Sequence, residues 1–249
     1  MDRLLEATAR AERDHFWFRG FRRFVAPMLD LAAAGRRDLR LLDCGCGTGA
    51  NLRLLLEPYG EACGFDLTWT GLRFARGSGL TRVAQASAAA VPFPSAAFDI
   101  VTSFDVLYCL PDAIEREAVR EMWRVLRPGG SAIINVAAME ILRGNHSVLS
   151  AELRRYSRTS LRALIEPAGF RVERMTYTNA ALFPLMLGVR GVQRLTGLAR
   201  EHEAEAEITV PPAPFNAALA ALLAVEAGLV RAVRMPFGSS LLCLARKPA

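Results

Sequence analysis

The segment Leu41–Leu52 constrains the fold more than any other part of this chain. It reads LLDCGCGTGANL, in which an acidic residue, Asp43, directly precedes a run of alternating glycines. The apolar residues before the acid predict a short buried strand, Leu39–Leu42, and Asn51–Glu57 is predicted to form the helix that follows. Glycines adopt backbone angles closed to other residues and keep side chains away from a ligand. The segment therefore predicts a strand, a tight turn and a helix that meet at a nucleotide-like ligand.

Two classes of cofactor site share this geometry. A dinucleotide site requires the pattern G-x-G-x-x-G/A, which Gly45, Gly47 and Ala50 satisfy, and Asp66 follows at about the 20-residue spacing of a ribose-binding acid. Asp43 argues against a dinucleotide, because a carboxylate at the strand end would face incoming phosphates. The same carboxylate can accept hydrogen bonds from a cationic or amine-bearing ligand. S-adenosylmethionine is such a ligand.

Four segments follow one another in a characteristic order. They are the D-x-G-x-G-x-G motif Asp43–Gly49, the strand end Cys63–Asp66, the segment Val91–Asp112 and the segment Glu121–Val136. In this order they resemble the class I S-adenosylmethionine-dependent methyltransferases, and more closely their type 11/12 small-molecule branch. The resemblance implies a Rossmann-like, seven-stranded, mostly parallel sheet with an antiparallel last strand and helices on both faces.

The resemblance also implies how the nucleoside part of the cofactor is held. Asp66 would bind both ribose hydroxyls, and Leu67 would touch the adenine. The family usually has an aspartate for the adenine amino group where this chain has Ser87. That contact would then fall to the Ser87 hydroxyl or to the backbone of Ala88.

The predicted fourth strand, Phe98–Ser103, ends beside the reacting centre. Ligands of open α/β sheets bind beyond the carboxyl ends of the strands, so Ser103, Phe104 and Asp105 would lie beside the methionine part of the cofactor. Asp105 has a second interpretation, as the cap of the following helix. Where relatives often have a histidine after this strand, this chain has Cys109. The full set of expected cofactor contacts is Asp43, Gly45, Cys46, Gly47, Gly49, Asn51, Leu52, Asp66, Leu67, Ser87, Ala88, Ser103, Phe104, Asp105 and Arg19.

A polar, arginine-bearing segment follows the predicted fifth strand, Ser131–Val136, and is expected to select the acceptor. Asn145, Arg155 and Tyr156 are the predicted acceptor contacts. His146 is the predicted catalytic base, because an imidazole can deprotonate a hydroxyl near neutral pH. Two alternatives stay open: His146 is a surface-loop residue, or no base is needed because placement alone accelerates attack on a reactive sulfonium.

Residues 1–34 are predicted to form a helical segment, which carries an aromatic cluster at His15–Arg19. One interpretation is a helix in which Phe16 and Trp17 pack on the sheet. The other follows from the resemblance: the segment is a lid that closes over the cofactor and excludes water, and Arg19 meets the cofactor's carboxylate.

The C-terminal part departs from the minimal fold. Arg171–Tyr177 and Ser240–Ala245 predict strands six and seven, so residues 178–238 form a large insertion. Within it, Leu182–Val192 and Phe215–Val233 are predicted to be helical and strongly apolar. A membrane span is disfavoured for the second helix by its two charges and its many alanines. The favoured interpretation is a cap over a bulky or lipid-linked acceptor; a dimer surface and a peripheral membrane contact are the alternatives.

Composition excludes several classes of protein. The 249 residues are 52% hydrophobic, enough for one α/β domain with a sizeable core. The net charge is +6, but the basic residues are almost all scattered arginines, so a nucleic-acid substrate is not expected. The five cysteines predict neither a disulfide framework nor a metal site, and the N-terminus has no signal-peptide pattern, so a cytoplasmic protein is expected.

These observations together predict one function and leave two alternatives. The predicted function is transfer of a methyl group from S-adenosylmethionine to a small-molecule or lipid-linked acceptor, at oxygen. The alternatives are a non-catalytic S-adenosylmethionine-binding partner protein and an NAD(P)-dependent oxidoreductase.

Overall fold

A seven-stranded sheet organises the chain in the computed structural model, which describes residues 2–144, 147, 150–196 and 208–249. The strand order is β3-β2-β1-β4-β5-β7-β6. Strands β1 to β5 pair in parallel, while β7 runs antiparallel to both β5 and β6. The predicted fold class is therefore confirmed. The strands are β1 Leu39–Cys44, β2 Gly60–Asp66, β3 Val83–Gln85, β4 Phe98–Phe104, β5 Leu126–Ala137, β6 Arg171–Thr178 and β7 Ser240–Arg246.

Helices cover both faces of the sheet and bury two apolar cores. On one face α4 and α5 pack through Val119, Met122 and Leu161, and on the other α2 and α7 pack through Leu29 and Leu223. Alternate residues of the central strands point to opposite cores, as a sheet buried on both faces requires. The helices are α1 Asp2–Ala11, α2 Phe16–Ala33, α3 Trp69–Gly77, α4 Asp112–Val125, α5 Arg158–Ile165, α6 Phe183–Thr196 and α7 Ala213–Ala232.

The structure refines two predictions. The helix expected over Asn51–Glu57 is helical throughout, but it is π-helical at Leu52–Leu56 and continues as a 3-10 turn at Glu57–Tyr59. Pro58 lacks a backbone N–H and so cannot continue a regular helix. The fifth strand, predicted over Ser131–Val136, begins earlier, at Leu126, because Leu126 already pairs with Phe98 of β4.

The helix α7 packs in one of the helical layers. It lies along α2, where a Cβ added at Gly20 would come within 2.4 Å of Leu223 Cδ1, and Arg23 donates to the carbonyl of Ala220. The helix α6 contacts the 3-10 turn Glu140–Leu142 that follows β5. A cap over the acceptor formed by residues 178–238 stays a prediction.

One helix in the described ranges, Ala213–Ala232, is long and apolar enough to cross a membrane when judged by length and composition alone. Its mean hydropathy reaches 1.7, and 33% of its most apolar window is buried. Its packing on α2 shows that it is a constituent of the fold.

Candidate cofactor and acceptor site

The glycine turn sits at the carboxyl end of β1, between the ends of β2 and β4. The backbone N–H groups of Gly45 and Cys46 both donate to the carbonyl of Phe65, at 2.8 and 2.9 Å. Gly45 has a φ of +82°, and a Cβ there would lie 2.3 Å from a methyl carbon of Val106. Only glycine fits both constraints, so the turn is fixed against its two neighbouring strands.

Asp66, at the end of β2, binds the glycine turn itself. One carboxylate oxygen accepts from the N–H of Gly47 at 2.8 Å, and the other accepts from the N–H and the hydroxyl of Thr68 at 2.8 and 2.5 Å. A ribose diol would have to share or replace these bonds, so the predicted ribose contact stays a prediction. The adjacent Leu67 is 67% exposed and is available to cover an adenine.

Asp43 is a buried acid directly beneath the turn. Its side chain is 2% exposed and accepts a hydrogen bond from the Thr102 hydroxyl at 2.7 Å. Burial, with a smaller contribution from the nearby Asp66 charge, raises the pKa of Asp43 to about 7, although the Thr102 bond opposes the shift. A cationic ligand would stabilise the ionised form of this carboxyl. The Asp43 carboxyl is thus suited to a ligand that carries an ammonium or a sulfonium group.

Three strands end in a non-glycine residue with a left-handed backbone. Asp105 follows β4, Met139 follows β5 and Asn179 follows β6, with φ values of 60°, 60° and 62°. Such conformations cost of order 1 to 3 kcal/mol each and concentrate at functional sites. Their shared position at the carboxyl edge of the sheet marks that edge as the site.

Asp105 is held by Asn135 of β5. Its carboxylate accepts from the Asn135 side-chain amide at 3.0 Å, and its N–H donates to the Asn135 carbonyl at 3.0 Å. The helix-cap interpretation of Asp105 is wrong, because the helix α4 begins after Pro111 and Asp105 makes no capping bond. The strained backbone turns this side chain toward Asn135 instead.

Neighbouring groups perturb the carboxyl of Asp105. The residue is exposed to solvent, yet protein surrounds its carboxyl group. This desolvation, followed by the charge of Glu152, raises the pKa of Asp105 to about 7, while the Asn135 bond and Arg155 oppose the shift. Asp105 can therefore exchange a proton near neutral pH.

The N-terminal helix α1 reaches the glycine turn. The Thr48 hydroxyl donates to the Glu12 carboxylate at 2.5 Å, and a Cβ added at Gly47 would meet Leu5 at 3.4 Å. Burial raises the pKa of Glu12 despite this bond. No sequence pattern predicted the contact between residues 12 and 48. Arg19 is exposed near the start of α2, so its contact with the cofactor stays a prediction, as does the lid function of residues 1–34.

Residues 42–134 match the family model described as "Methyltransferase domain". Together with the strand order and the glycine turn, this match identifies the domain. Residues 42–134 form a class I S-adenosylmethionine-dependent methyltransferase domain. S-adenosylmethionine is the cofactor of this family, which confirms the predicted cofactor and decides against the dinucleotide alternative.

Curated relatives of this methyltransferase align over part of their length. A malonyl-[acyl-carrier protein] O-methyltransferase of Enterobacter lignolyticus is 37% identical over 43% of this chain and 42% of its own. A Mycolicibacterium smegmatis protein named "Probable S-adenosylmethionine-dependent methyltransferase" is 29% identical over 64% of this chain and 61% of its own. The ubiquinone/menaquinone biosynthesis C-methyltransferase UbiE of Yersinia enterocolitica is 36% identical over 40% and 43%. This chain thus spans about half the length of the curated relatives it matches.

Solved structures share the fold of this methyltransferase. An S-adenosylmethionine-dependent methyltransferase from Mesorhizobium loti matches 90% of this chain and 97% of its own with a TM-score of 0.54 and 19% identity. The [4+2]-cyclase SpnF matches 88% and 79% with a TM-score of 0.55 and 23% identity. At these identities the likeness shows the fold alone.

The predicted acceptor residues of the methyltransferase have internal partners where they are described. Arg155 forms an ion pair with Glu152 at 2.7 Å, with the two side chains 6% and 1% exposed. The Tyr156 hydroxyl donates to the carboxylate of Glu115. A direct contact of either side chain with the acceptor stays a prediction and would require these bonds to open. Asn145 and His146 lie outside the described residues.

The remaining predicted cofactor residues of the methyltransferase lie around the same edge. Phe104 packs its ring against Phe21 of α2, with ring centroids 5.1 Å apart. The Ser87 hydroxyl accepts from the N–H of Ala89 at 3.2 Å, which fixes the local turn. Ser103 is buried, and its hydroxyl has no hydrogen-bond partner among the described residues. Gly49, Asn51, Leu52 and Ala88 complete the set, and their ligand contacts stay predictions.

Proposed function

We propose that this methyltransferase transfers the methyl group of S-adenosylmethionine to a hydroxyl of a small-molecule or lipid-linked acceptor. One observation supports the proposal above all. Two carboxyl groups with a pKa of about 7, Asp43 and Asp105, flank the glycine turn, since Asp43 precedes Gly45 in the chain and Val106, next to Asp105, contacts Gly45. When bound, the cofactor supplies a methyl group activated by a positively charged sulfur.

The two acids would have separate tasks. Asp43 would accept hydrogen bonds from the cationic methionine part and become ionised as the ligand binds. Asp105 would accept the proton that the acceptor hydroxyl loses, and Asn135 would hold the Asp105 carboxylate in place. Asp105 is thus an alternative to the predicted base His146, whose position lies outside the described residues.

The acceptor class is supported by the names of two relatives, and the oxygen target is supported by the pKa of Asp105. The name of one relative specifies a malonyl group on a carrier protein, and the name of the other specifies ubiquinone/menaquinone biosynthesis. Both names point to bulky or lipid-linked acceptors. One of these enzymes methylates oxygen and the other carbon by name. Oxygen is proposed here because a carboxyl with a pKa near 7, such as Asp105, suits the deprotonation of a hydroxyl.

Calorimetry with S-adenosylmethionine and with its demethylated product tests the cofactor, and transfer of a labelled methyl group tests the reaction. Labelled product from phenol and quinol acceptors is expected, and Asp105→Asn should reduce its rate about 100-fold while leaving cofactor binding intact. Absence of binding to either ligand, together with binding of NAD, would refute the proposal.

A non-catalytic cofactor-binding partner protein is the second candidate. A putative methyltransferase of the same fold is solved as a complex with an activator protein, so this fold also occurs in assemblies. Asp43→Asn separates the candidates, because an enzyme should lose turnover while a partner protein should still bind its partner. A cytoplasmic location and a homodimer stay predictions.

A further inference from the structure

The helix α7 has the reverse of the usual distribution of polar residues. Its two polar side chains in the stretch from Ala213 to Val230, Asn216 and Glu226, are 9% and 3% exposed and point into the protein. Asn216 accepts from the N–H of Phe16 at 2.8 Å, and its amide donates to the carbonyl of Asp14 at 2.9 Å. A helix on a water-exposed surface places such residues outward.

Apolar side chains occupy the outward side of the same helix. Phe215, Val225 and Leu229 are 68%, 66% and 52% exposed, and Leu222 also faces outward. The other exposed residues from Ala213 to Val230 are alanine, glycine or proline, so this side offers no side-chain hydrogen-bonding group.

The helix α6 also exposes apolar residues. The segment that precedes it is attached to α7, because the Glu226 carboxylate accepts from the N–H groups of Ala180 and Ala181 at 2.8 and 2.9 Å. The exposed residues of α6 from Phe183 to Val192 are apolar, glycine or proline. We define the apolar helix face as the exposed side chains of Phe215, Leu222, Val225 and Leu229 on α7.

The chemistry of this face favours lipid over a protein partner. Protein interfaces carry about one hydrogen bond per 100–200 Å², so their surfaces include donors and acceptors. Acyl chains require none. An exposed apolar face of this kind marks a protein or membrane contact rather than a solvated surface. The absence of polar side chains on the described part of the face therefore selects a bilayer.

Arginines border the apolar helix face. Arg231 and Arg234 are exposed at the end of α7, and the Arg174 guanidinium donates to the carbonyls of Val230 and Arg231. The one acid that lines the groove beside Arg231 is Asp30, whose carboxylate accepts from the Tyr59 hydroxyl at 2.8 Å. Arginines at the edge of an apolar surface match the negative headgroups of an anionic leaflet.

We propose that the apolar helix face lies on the surface of an anionic lipid bilayer, with Arg231 and Arg234 at the headgroups. The helix α7 does not leave the domain, because Asn216 and Glu226 stay bonded to it. This contact would bring a lipid-linked acceptor to the domain, but it does not depend on the proposed reaction and can be measured without an acceptor.

Flotation of the full-length protein with vesicles tests the proposal. Binding is expected to vesicles of phosphatidylcholine mixed with phosphatidylglycerol, and less to phosphatidylcholine alone. Val225→Glu should weaken binding at least about tenfold, since it places a charge in the acyl region. Replacing Arg231 and Arg234 by glutamine should weaken binding to the anionic vesicles about fivefold per arginine. Ile114→Glu, at an exposed apolar position of α4, is the matched control and should bind like the wild type.

Sedimentation velocity of the same variants tests whether a second copy of this chain, and not lipid, covers the apolar helix face. A wild-type dimer that Val225→Glu converts to monomer, without vesicle binding, would show that a second copy covers the face and would overturn the proposal. Failure of the wild type to bind either vesicle would overturn it as well. Circular dichroism melting should show that Val225→Glu folds, because Val225 is 66% exposed.

Discussion

The carboxyl of Asp43 connects cofactor binding to pH. Because its pKa is about 7, the group is largely protonated below neutral pH, and a cationic ligand must displace that proton. The affinity for S-adenosylmethionine should therefore rise as the pH rises through about 7, with proton release on binding. Calorimetry in buffers of different ionisation enthalpy measures that release.

The substitution Asp43→Asn should remove this pH dependence and weaken binding at least about tenfold, because a charge-assisted bond is lost. Asp38→Asn serves as the matched control, since Asp38 lies on the surface in an ion pair with Arg36 and its side chain is 77% exposed. Equal pH dependence of binding in Asp43→Asn and the wild type would show that another group takes up the proton.

Gly45 is a second residue at which the geometry of the site allows only one residue type. Gly45→Ala should lower the free energy of unfolding by about 1 to 3 kcal/mol from the left-handed φ alone, and by more from the clash with Val106. Adding Val106→Ala should relieve the clash and restore that part of the free energy of unfolding, but the backbone strain at residue 45 should remain. Gly188→Ala, in α6 with open space around its Cα, should instead be neutral or stabilising. Urea denaturation of the four proteins gives the comparison.

The C-terminal end of α1 is attached to the glycine turn through the bond between Thr48 and Glu12, the residue that follows the helix. Thr48→Val keeps the shape of the side chain but removes the donor, so hydrogen exchange over residues 2–11 should accelerate and the cofactor should dissociate faster. Thr48→Ser keeps the donor and should behave like the wild type. Unchanged exchange in Thr48→Val would mean that packing on α3 alone holds α1.

The Glu226 carboxylate attaches α7 to the segment after β6. Its two oxygens accept from the N–H groups of Ala180 and Ala181, whereas the amide of Glu226→Gln would turn a donor toward one of them. A loss of about 1 to 3 kcal/mol in the free energy of unfolding is expected. Glu173→Gln, which removes a half-exposed ion pair with Arg246, should cost less than about 1 kcal/mol. Equal effects of the two substitutions would show that Glu226 does not attach the helix.

At the scale of elements, the sequence predicted what local patterns encode. Strands β1, β4, β6 and β7 follow apolar runs and were predicted within two residues of their observed ends, as were the start and end of α7. The side on which α7 packs was not predictable, because the partners of Asn216 and Glu226 lie far away in the chain. For the same reason the sequence indicated Asp43 and Asp66 as ligand-binding acids but not the bonds that Thr102 and Gly47 donate to them.

For the whole molecule, the acids with a raised pKa lower the free energy of unfolding once the pH exceeds about 4. A buried carboxyl whose pKa is raised from 3.8 to about 7 holds its proton in the folded state at pH values where the unfolded chain has lost it. Its contribution to stability is therefore complete below about pH 4 and is lost as the pH rises through about 7. Asp43, Asp105, Glu12 and Glu115 all have a raised pKa, so the four act in the same direction.

The ligand-free protein should consequently gain stability when Asp43 is neutralised, although cofactor binding is lost. The advantage of Asp43→Asn over the wild type should grow by up to about 3 kcal/mol between about pH 5 and about pH 8.5, because the asparagine does not ionise and can still accept the Thr102 bond. Urea denaturation at both pH values measures this difference. A constant advantage would mean that Asp43 is already ionised at the lower pH. Saturating S-adenosylmethionine should shrink the advantage at the higher pH, since the ligand supplies the positive charge that the ionised carboxylate lacks.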